Sequence, residues 1–237
     1  MSRFPIWPLK HGRASIDRRR ALRRLGRAAL ALIALSLASD GALAERETVI
    51  VAFGDSLTAG YGLPPGQSFP AQLQAALRKR GHKVRVVNSG VSGDTAAAGL
   101  SRLEWAMPDD AQAVIVELGA NDALRGLDPK KTLAALDRII ATLKAKGLPV
   151  LLAGMEAPRN LGPEYTAAFG AIYPALAEKH GVLLYPFFLD GVAAVPKLNQ
   201  SDGIHPTGQG IAVIVERIVP SVEKLIEQVA SRRRTQG

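Results

Sequence analysis

At 237 residues, 47% of them apolar, the chain is long enough to bury one sizeable core, which excludes a disordered or fibrous protein. The net charge of +9 is concentrated in residues 1–44, where nine arginines and lysines face two aspartates, so the remainder carries only +2 and offers nucleic acid no basic face. With no cysteine, disulfides, thiol nucleophiles and thiolate metal sites are excluded as well.

The arginine-rich opening runs into the apolar stretch AALALIALSLA, then Ala42-Leu43-Ala44, before the charged Glu45-Arg46-Glu47. That order, basic then apolar then small, predicts a secretory signal peptide over 1–44 and a single domain over 45–237. The competing reading is a retained anchor, but the apolar run is shorter than the roughly 20 residues a bilayer span needs. The expectation is therefore a periplasmic or secreted bacterial protein with no stable membrane span after signal removal. Arg18-Arg19-Arg20 carries too little of the twin-arginine pattern to choose between export routes.

From Thr48 onward short β-branched runs alternate with amphipathic ones. Strands are predicted at 48–53, 84–87, 113–118, 149–155 and 182–184, with helices at 69–80, 94–107, 129–146 and 163–179. A last helical stretch, 207–229, meets Pro220 and is predicted to kink or split there, and SRRRTQG reads as a solvated tail. Strands apolar along their whole length fit a parallel sheet covered on both faces, so the predicted fold is an α/β/α sandwich of about five strands.

Ligands collect at the carboxyl ends of such strands. Gly54-Asp55-Ser56, Val91-Ser92-Gly93-Asp94, Gly119-Ala120-Asn121-Asp122 and Glu156-Ala157-Pro158 fall there. A serine hydroxyl needs a base, and of the four histidines His11 lies in the leader, while His82 and His180 sit beside helix ends that account for them. His205 lies in SDGIHPTGQG, where Pro206 disfavours helix and Asp202 is three residues away. That segment reads either as a turn capped at Thr207 or as an orienting acid and base. With Ser56 it makes a plausible nucleophile, base and acid. The Ser56 and Gly93 N–H groups and the Asn121 amide are the candidate oxyanion donors. Asp94 and Asp122 read as caps or loop hydrogen bonders, Asp55 as shaping the serine turn, and Glu117 with Glu156 as a possible carboxylate pair. No His/Asp cluster has metal-ligand spacing, so no metal or cofactor is expected.

The segments FGDSLTAGYGL, VSGDTAAAGLSRL, VELGANDALRG and DGIHPTGQG resemble the four sequence blocks of the SGNH (GDSL) hydrolases, and most closely their periplasmic thioesterase/arylesterase/lysophospholipase branch. The resemblance runs from about Thr48 to about Val229. It implies a flavodoxin-like sandwich with a five-stranded parallel sheet, Ser56 as nucleophile, Asp202 and His205 completing the triad, and Gly93 and Asn121 in the oxyanion hole. The implied substrate is a small-molecule or lipid ester. Leu124, Leu161, Pro163 and Val195 lie in loops that could line an apolar acyl pocket, or only pack loops. The alternatives are an acetyl esterase acting on carbohydrate or cell-wall glycan, and a non-catalytic ligand-binding protein on the same fold.

Overall fold

The computed structural model describes residues 47–236, so the leader expected over 1–44 lies outside the described residues. Strand β1 (Thr48–Gly54) is buried at every position, as are β3 (Ala113–Glu117) and β4 (Val150–Ala153). The edge strands β2 (Val84–Gly90) and β5 (Leu183–Tyr185) are each partly exposed. Among the described residues these strands form one parallel sheet in the order β2-β1-β3-β4-β5. A strand covered on both faces has no solvent side to make polar, which is why the central strands announce themselves as unbroken apolar runs.

The helices are α1 (Ser56–Ala59), α2 (Phe69–Lys79), α3 (Ala96–Arg102), α4 (Ala120–Leu124), α5 (Pro129–Ala145), α6 (Pro163–Gly170), α7 (Ile172–His180) and α8 (Gly208–Gln236). Helix α2 packs with α8, and α5 packs with α3 and α7, giving the two outer layers of an α/β/α sandwich. Phe53, Ile50 and Ile115 of the sheet, Phe69 and Leu73 of α2 and Ile139 of α5 are fully buried. Each such side chain stabilises the fold by about 1.5–3 kcal/mol relative to exposure.

The chain steps from β1 outward to β2 and then crosses back to β3 on the other side of β1. The loops after β1 and β3 part at that reversal and open a crevice at the carboxyl edge of the sheet. In register, Gly54 lies opposite Gly90 of β2 and Glu117 of β3, so the three strands end level and their following loops start side by side.

Several expected boundaries shift, each for a local reason. The helix expected over 94–107 is only Ala96–Arg102, its start fixed by Thr95, whose Oγ1 accepts the Ala98 N–H at 3.2 Å. The helix expected over 163–179 is two helices meeting at Ala171. Pro174 cannot donate to the Gly170 carbonyl, so one continuous helix would lack that bond, whereas in the first turn of α7 the missing N–H costs nothing. The stretch around Pro220 neither splits nor ends in a tail: α8 runs unbroken to Gln236 with Pro220 inside. Its C-terminal arginines are engaged, Arg232 with the Gly147 carbonyl and Arg233 with the Glu47 carbonyl and Gln112 Oε1. The short α4, opening one residue before Asn121, was not expected at all.

Candidate active site

The apolar run of β1 stops at Gly54 because no side chain fits there. A Cβ would lie 2.2 Å from Thr58 Oγ1 and 2.5 Å from the Glu117 carbonyl oxygen. Asp55 then caps α1, its Oδ1 accepting the Leu57 N–H at 3.0 Å, and Ser56 becomes the first residue of that helix. The Ser56 N–H, a first-turn donor without an intrahelical partner, has no acceptor among the described residues.

His205 Nε2 is 3.0 Å from Ser56 Oγ, and His205 Nδ1 is 2.7 Å from Asp202 Oδ2. The other Asp202 oxygen, Oδ1, accepts the backbone N–H groups of Ile204 and His205, each at 3.0 Å. The His205 N–H first, then the imidazole and the Ile204 N–H, lower the Asp202 pKa to about 2. Asp202 is therefore a carboxylate at neutral pH, able to accept a hydrogen bond from Nδ1–H and so leave Nε2 as the acceptor facing Ser56. The turn expected at Thr207 is present too: its Oγ1 accepts the Gly210 N–H at 3.2 Å and caps α8.

Two residues that sequence reasoning missed complete this side of the site. The Tyr61 ring lies over the imidazole, with centroids 4.5 Å apart and planes 34° apart. Gln200 Nε2 donates to the carbonyls of Tyr61, at 2.8 Å, and Pro206, at 3.0 Å, tying the serine loop to the histidine loop. A tyrosine five positions after the serine carries no periodic signal, so only the course of the loop could reveal its contact.

Gly93 adopts φ +87°, while a Cβ on it would meet only Arg125 Nη2 at 3.8 Å. Backbone conformation, more than intramolecular space, is thus what favours glycine there. The Gly93 N–H has no acceptor among the described residues, so it is available to a ligand. Asn121 differs: its Nδ2 donates to Asp55 Oδ2 at 3.1 Å and to the Asp94 carbonyl at 3.0 Å, so both amide hydrogens already have acceptors.

Among the acidic residues Asp55, Asp94 and Asp122 fit the sequence reading of turn-shaping and loop hydrogen bonding, and only the Glu117–Glu156 pair departs from it. Asp122 is a loop hydrogen bonder, taking the Ala96 N–H at 2.8 Å and the Thr132 hydroxyl at 2.9 Å. Asp94 is not a cap, that role falling to Thr95; it pairs with Arg102 at 2.5 Å. Glu156 is exposed, and the partner of Glu117 is Asp55. Glu117 is fully buried beneath the serine turn, its Oε2 accepting the Thr58 hydroxyl at 2.8 Å and the Asp55 N–H at 3.4 Å. Burial and then the Asp55 charge push its pKa well up, and burial raises Asp55 to about 6. Glu117 Oε1 has no hydrogen-bond partner among the described residues. His82 and His180 hydrogen-bond Glu223 at 3.0 Å and Asp137 at 2.6 Å, distant carboxylates that their helix-end positions did not name.

The four expected pocket residues differ in exposure. Leu124 is exposed on α4, Leu161 and Val195 are half-buried, and Pro163 is exposed at the start of α6. A surface cavity of about 480 Å³ beside the start of α8, lined by Gln67, Lys197, Thr207 and Gly208 among others, includes none of them. Among the apolar side chains left exposed on the segments that carry Ser56, Gly93, Asn121 and His205 are Tyr61, Val91, Leu124 and Ile204, at 53%, 41%, 50% and 45%. Among the described residues no helix is long and apolar enough to cross a membrane.

Residues 52–213 match the model of the GDSL-like lipase/acylhydrolase family. Over 195 residues the chain is 39% identical to Esterase TesA of Pseudomonas aeruginosa, covering 82% of this chain and 96% of that one. It is 38% identical over 184 residues to Thioesterase 1/protease 1/lysophospholipase L1 of Escherichia coli K12, covering 77% of this chain and 86% of the relative. Among solved structures, AlinE4, an SGNH-hydrolase family esterase, superposes with a TM-score of 0.65 at 49% identity, covering 76% of this chain and 96% of that chain.

Proposed function

Because the chain belongs to the GDSL-like lipase/acylhydrolase family it is a serine hydrolase of ester bonds, and we propose that Ser56, His205 and Asp202 carry its reaction. In that reading His205 Nε2 takes the Ser56 proton as Oγ attacks the ester carbonyl, while the Asp202 carboxylate holds the imidazole in the required tautomer. The Ser56 and Gly93 N–H groups receive the developing oxyanion, joined by the Asn121 amide. His205 returns the proton to the leaving alcohol or thiol, leaving an acyl-Ser56. Water activated by the same imidazole then releases the acid and restores the hydroxyl.

The observation that carries this proposal is the hydrogen-bonded series from Asp202 Oδ2 through both imidazole nitrogens to Ser56 Oγ, at 2.7 and 3.0 Å. Aryl esters, acyl thioesters and lysophospholipids are the proposed substrates. The names of the relatives, an arylesterase of Vibrio mimicus among them, support that range, as do the exposed apolar Tyr61, Val91, Leu124 and Ile204 on the site segments. Export to the periplasm or medium is proposed from the signal-like order of residues 1–44.

An organophosphonate esterifies an activated serine, so mass spectrometry of the inhibited protein should find the adduct on Ser56. Ser56→Ala should fold normally and turn over no ester. An adduct on Ser68, Ser89, Ser92 or Ser201 instead would overturn the assignment.

A further inference from the structure

Arg102 ends α3 and is only 5% exposed, although arginine is rarely buried without partners. Its guanidinium lies 4.3 Å from the centroid of the Phe53 ring. Nη2 donates to the Gly54 carbonyl at 2.9 Å and Nε donates to Asp94 Oδ2 at 2.5 Å.

Each of these acceptors adjoins a candidate oxyanion donor. Gly54 stands two residues before Ser56, and its carbonyl also accepts the Val91 N–H at 3.0 Å, so one oxygen joins the serine turn to the loop that carries Gly93. Asp94 directly follows Gly93, and its own carbonyl takes the Asn121 amide at 3.0 Å. The geometry points to Arg102 as a positioning residue of the oxyanion hole, one buried guanidinium holding all three donor segments in register. This rests on the donor assignment of Ser56, Gly93 and Asn121 under Proposed function.

The chemistry of the side chain fits that task. A planar fork can serve two acceptors on different loops at once, whereas a lysine ammonium on a flexible stem offers no such fixed spacing. Oxyanion donors help only if they are oriented before charge develops, so the registration of three loops bears on turnover more than on substrate affinity.

The test combines Arg102→Lys, Asn121→Ala and the double variant, with steady-state kinetics on a p-nitrophenyl ester beside thermal melting of each protein. Arg102→Lys should lower kcat roughly 10- to 100-fold, the scale of a misplacement near 1 Å, with KM within about twofold. On the Asn121→Ala background the same substitution should cost less, because one of the donors it positions is already gone. Unchanged kcat in folded Arg102→Lys, an equal loss on both backgrounds, or a loss that tracks only the folded fraction would each overturn the proposal. Should Arg102→Lys not fold, Asp94→Asn decides, since it keeps the main-chain carbonyl while removing the charge that Arg102 grips. Full kcat in that variant, or failure of both to fold, overturns it too. If Asn121→Ala alone leaves kcat intact, it is the oxyanion assignment that fails, whatever Arg102 does.

Discussion

Asn121 donates its side-chain amide to the carboxyl group of Asp55, at 3.1 Å, and Asp55 directly precedes Ser56 in the chain. The third candidate oxyanion donor is thus held by the residue that shapes the serine turn, and it must share a hydrogen with the incoming charge. Asn121→Ala should lower kcat by roughly 10²–10³, about 2.7–4 kcal/mol, with little change in KM. It should also lower Tm by a few degrees, since Asp55 loses a donor in a buried setting; about 1 kcal/mol corresponds to roughly 2–4 °C at this size. Kinetics and melting on one preparation check both. Unchanged kcat would remove Asn121 from the hole.

Asp202→Asn leaves an acceptor for the Ile204 and His205 N–H groups but turns an NH₂ toward His205 Nδ1. The imidazole would then carry its proton on Nε2, facing Ser56, where it cannot act as a base. A loss of kcat up to about 10⁴ is expected, with the fold retained. In the wild type Asp202 is lowered from 3.8 to about 2, so the stability it contributes is present above pH 3.8 and is lost as pH falls through 2. Acid titration followed by circular dichroism should therefore find the variant lacking that contribution.

Tyr61 meets the imidazole through its ring, and among the described residues its hydroxyl has no hydrogen-bond partner. Tyr61→Phe should keep kcat/KM, whereas Tyr61→Ala should lose roughly 2- to 10-fold, the scale of one aromatic pair. Equal losses in both would assign the effect to the hydroxyl.

The buried Glu117 and Asp55 make the fold pH-sensitive in a predictable direction. Both carboxyls have raised pKa values, Asp55 about 6 against 3.8 and Glu117 well above 4.5, because burial disfavours charge. Their contribution to stability is therefore complete below the ordinary carboxylate range and is lost as pH rises through the raised values. Glu117→Gln imitates the protonated acid, keeping an acceptor for the Thr58 hydroxyl. It should match the wild type in Tm at pH 5 and exceed it by several degrees at pH 9. A variant less stable at pH 9 would show that the charged form is the one the fold favours.

Much of this architecture can be read from the chain alone because its causes are local. Burial on both faces leaves apolar runs such as TVIVAF, and helix ends leave glycines such as Gly147 and Gly181. Residue types suited to a serine nucleophile, its base and oxyanion donors likewise stand out, Ser56, Gly93 and Asn121 after strands and Asp202 with His205 in the last loop, so these candidates could be named before any coordinates. What the tertiary structure alone decided are contacts between residues that no period relates. Asp55 reaches Asn121 across 66 positions, Gly54 meets Arg102 across 48, and Gln200 meets Tyr61 across 139. Such pairs are set by the level register of β2, β1 and β3 and by the path of their loops. A hydropathy pattern records which face of an element is buried; it carries no record of which distant polar group waits on the other side of the crevice.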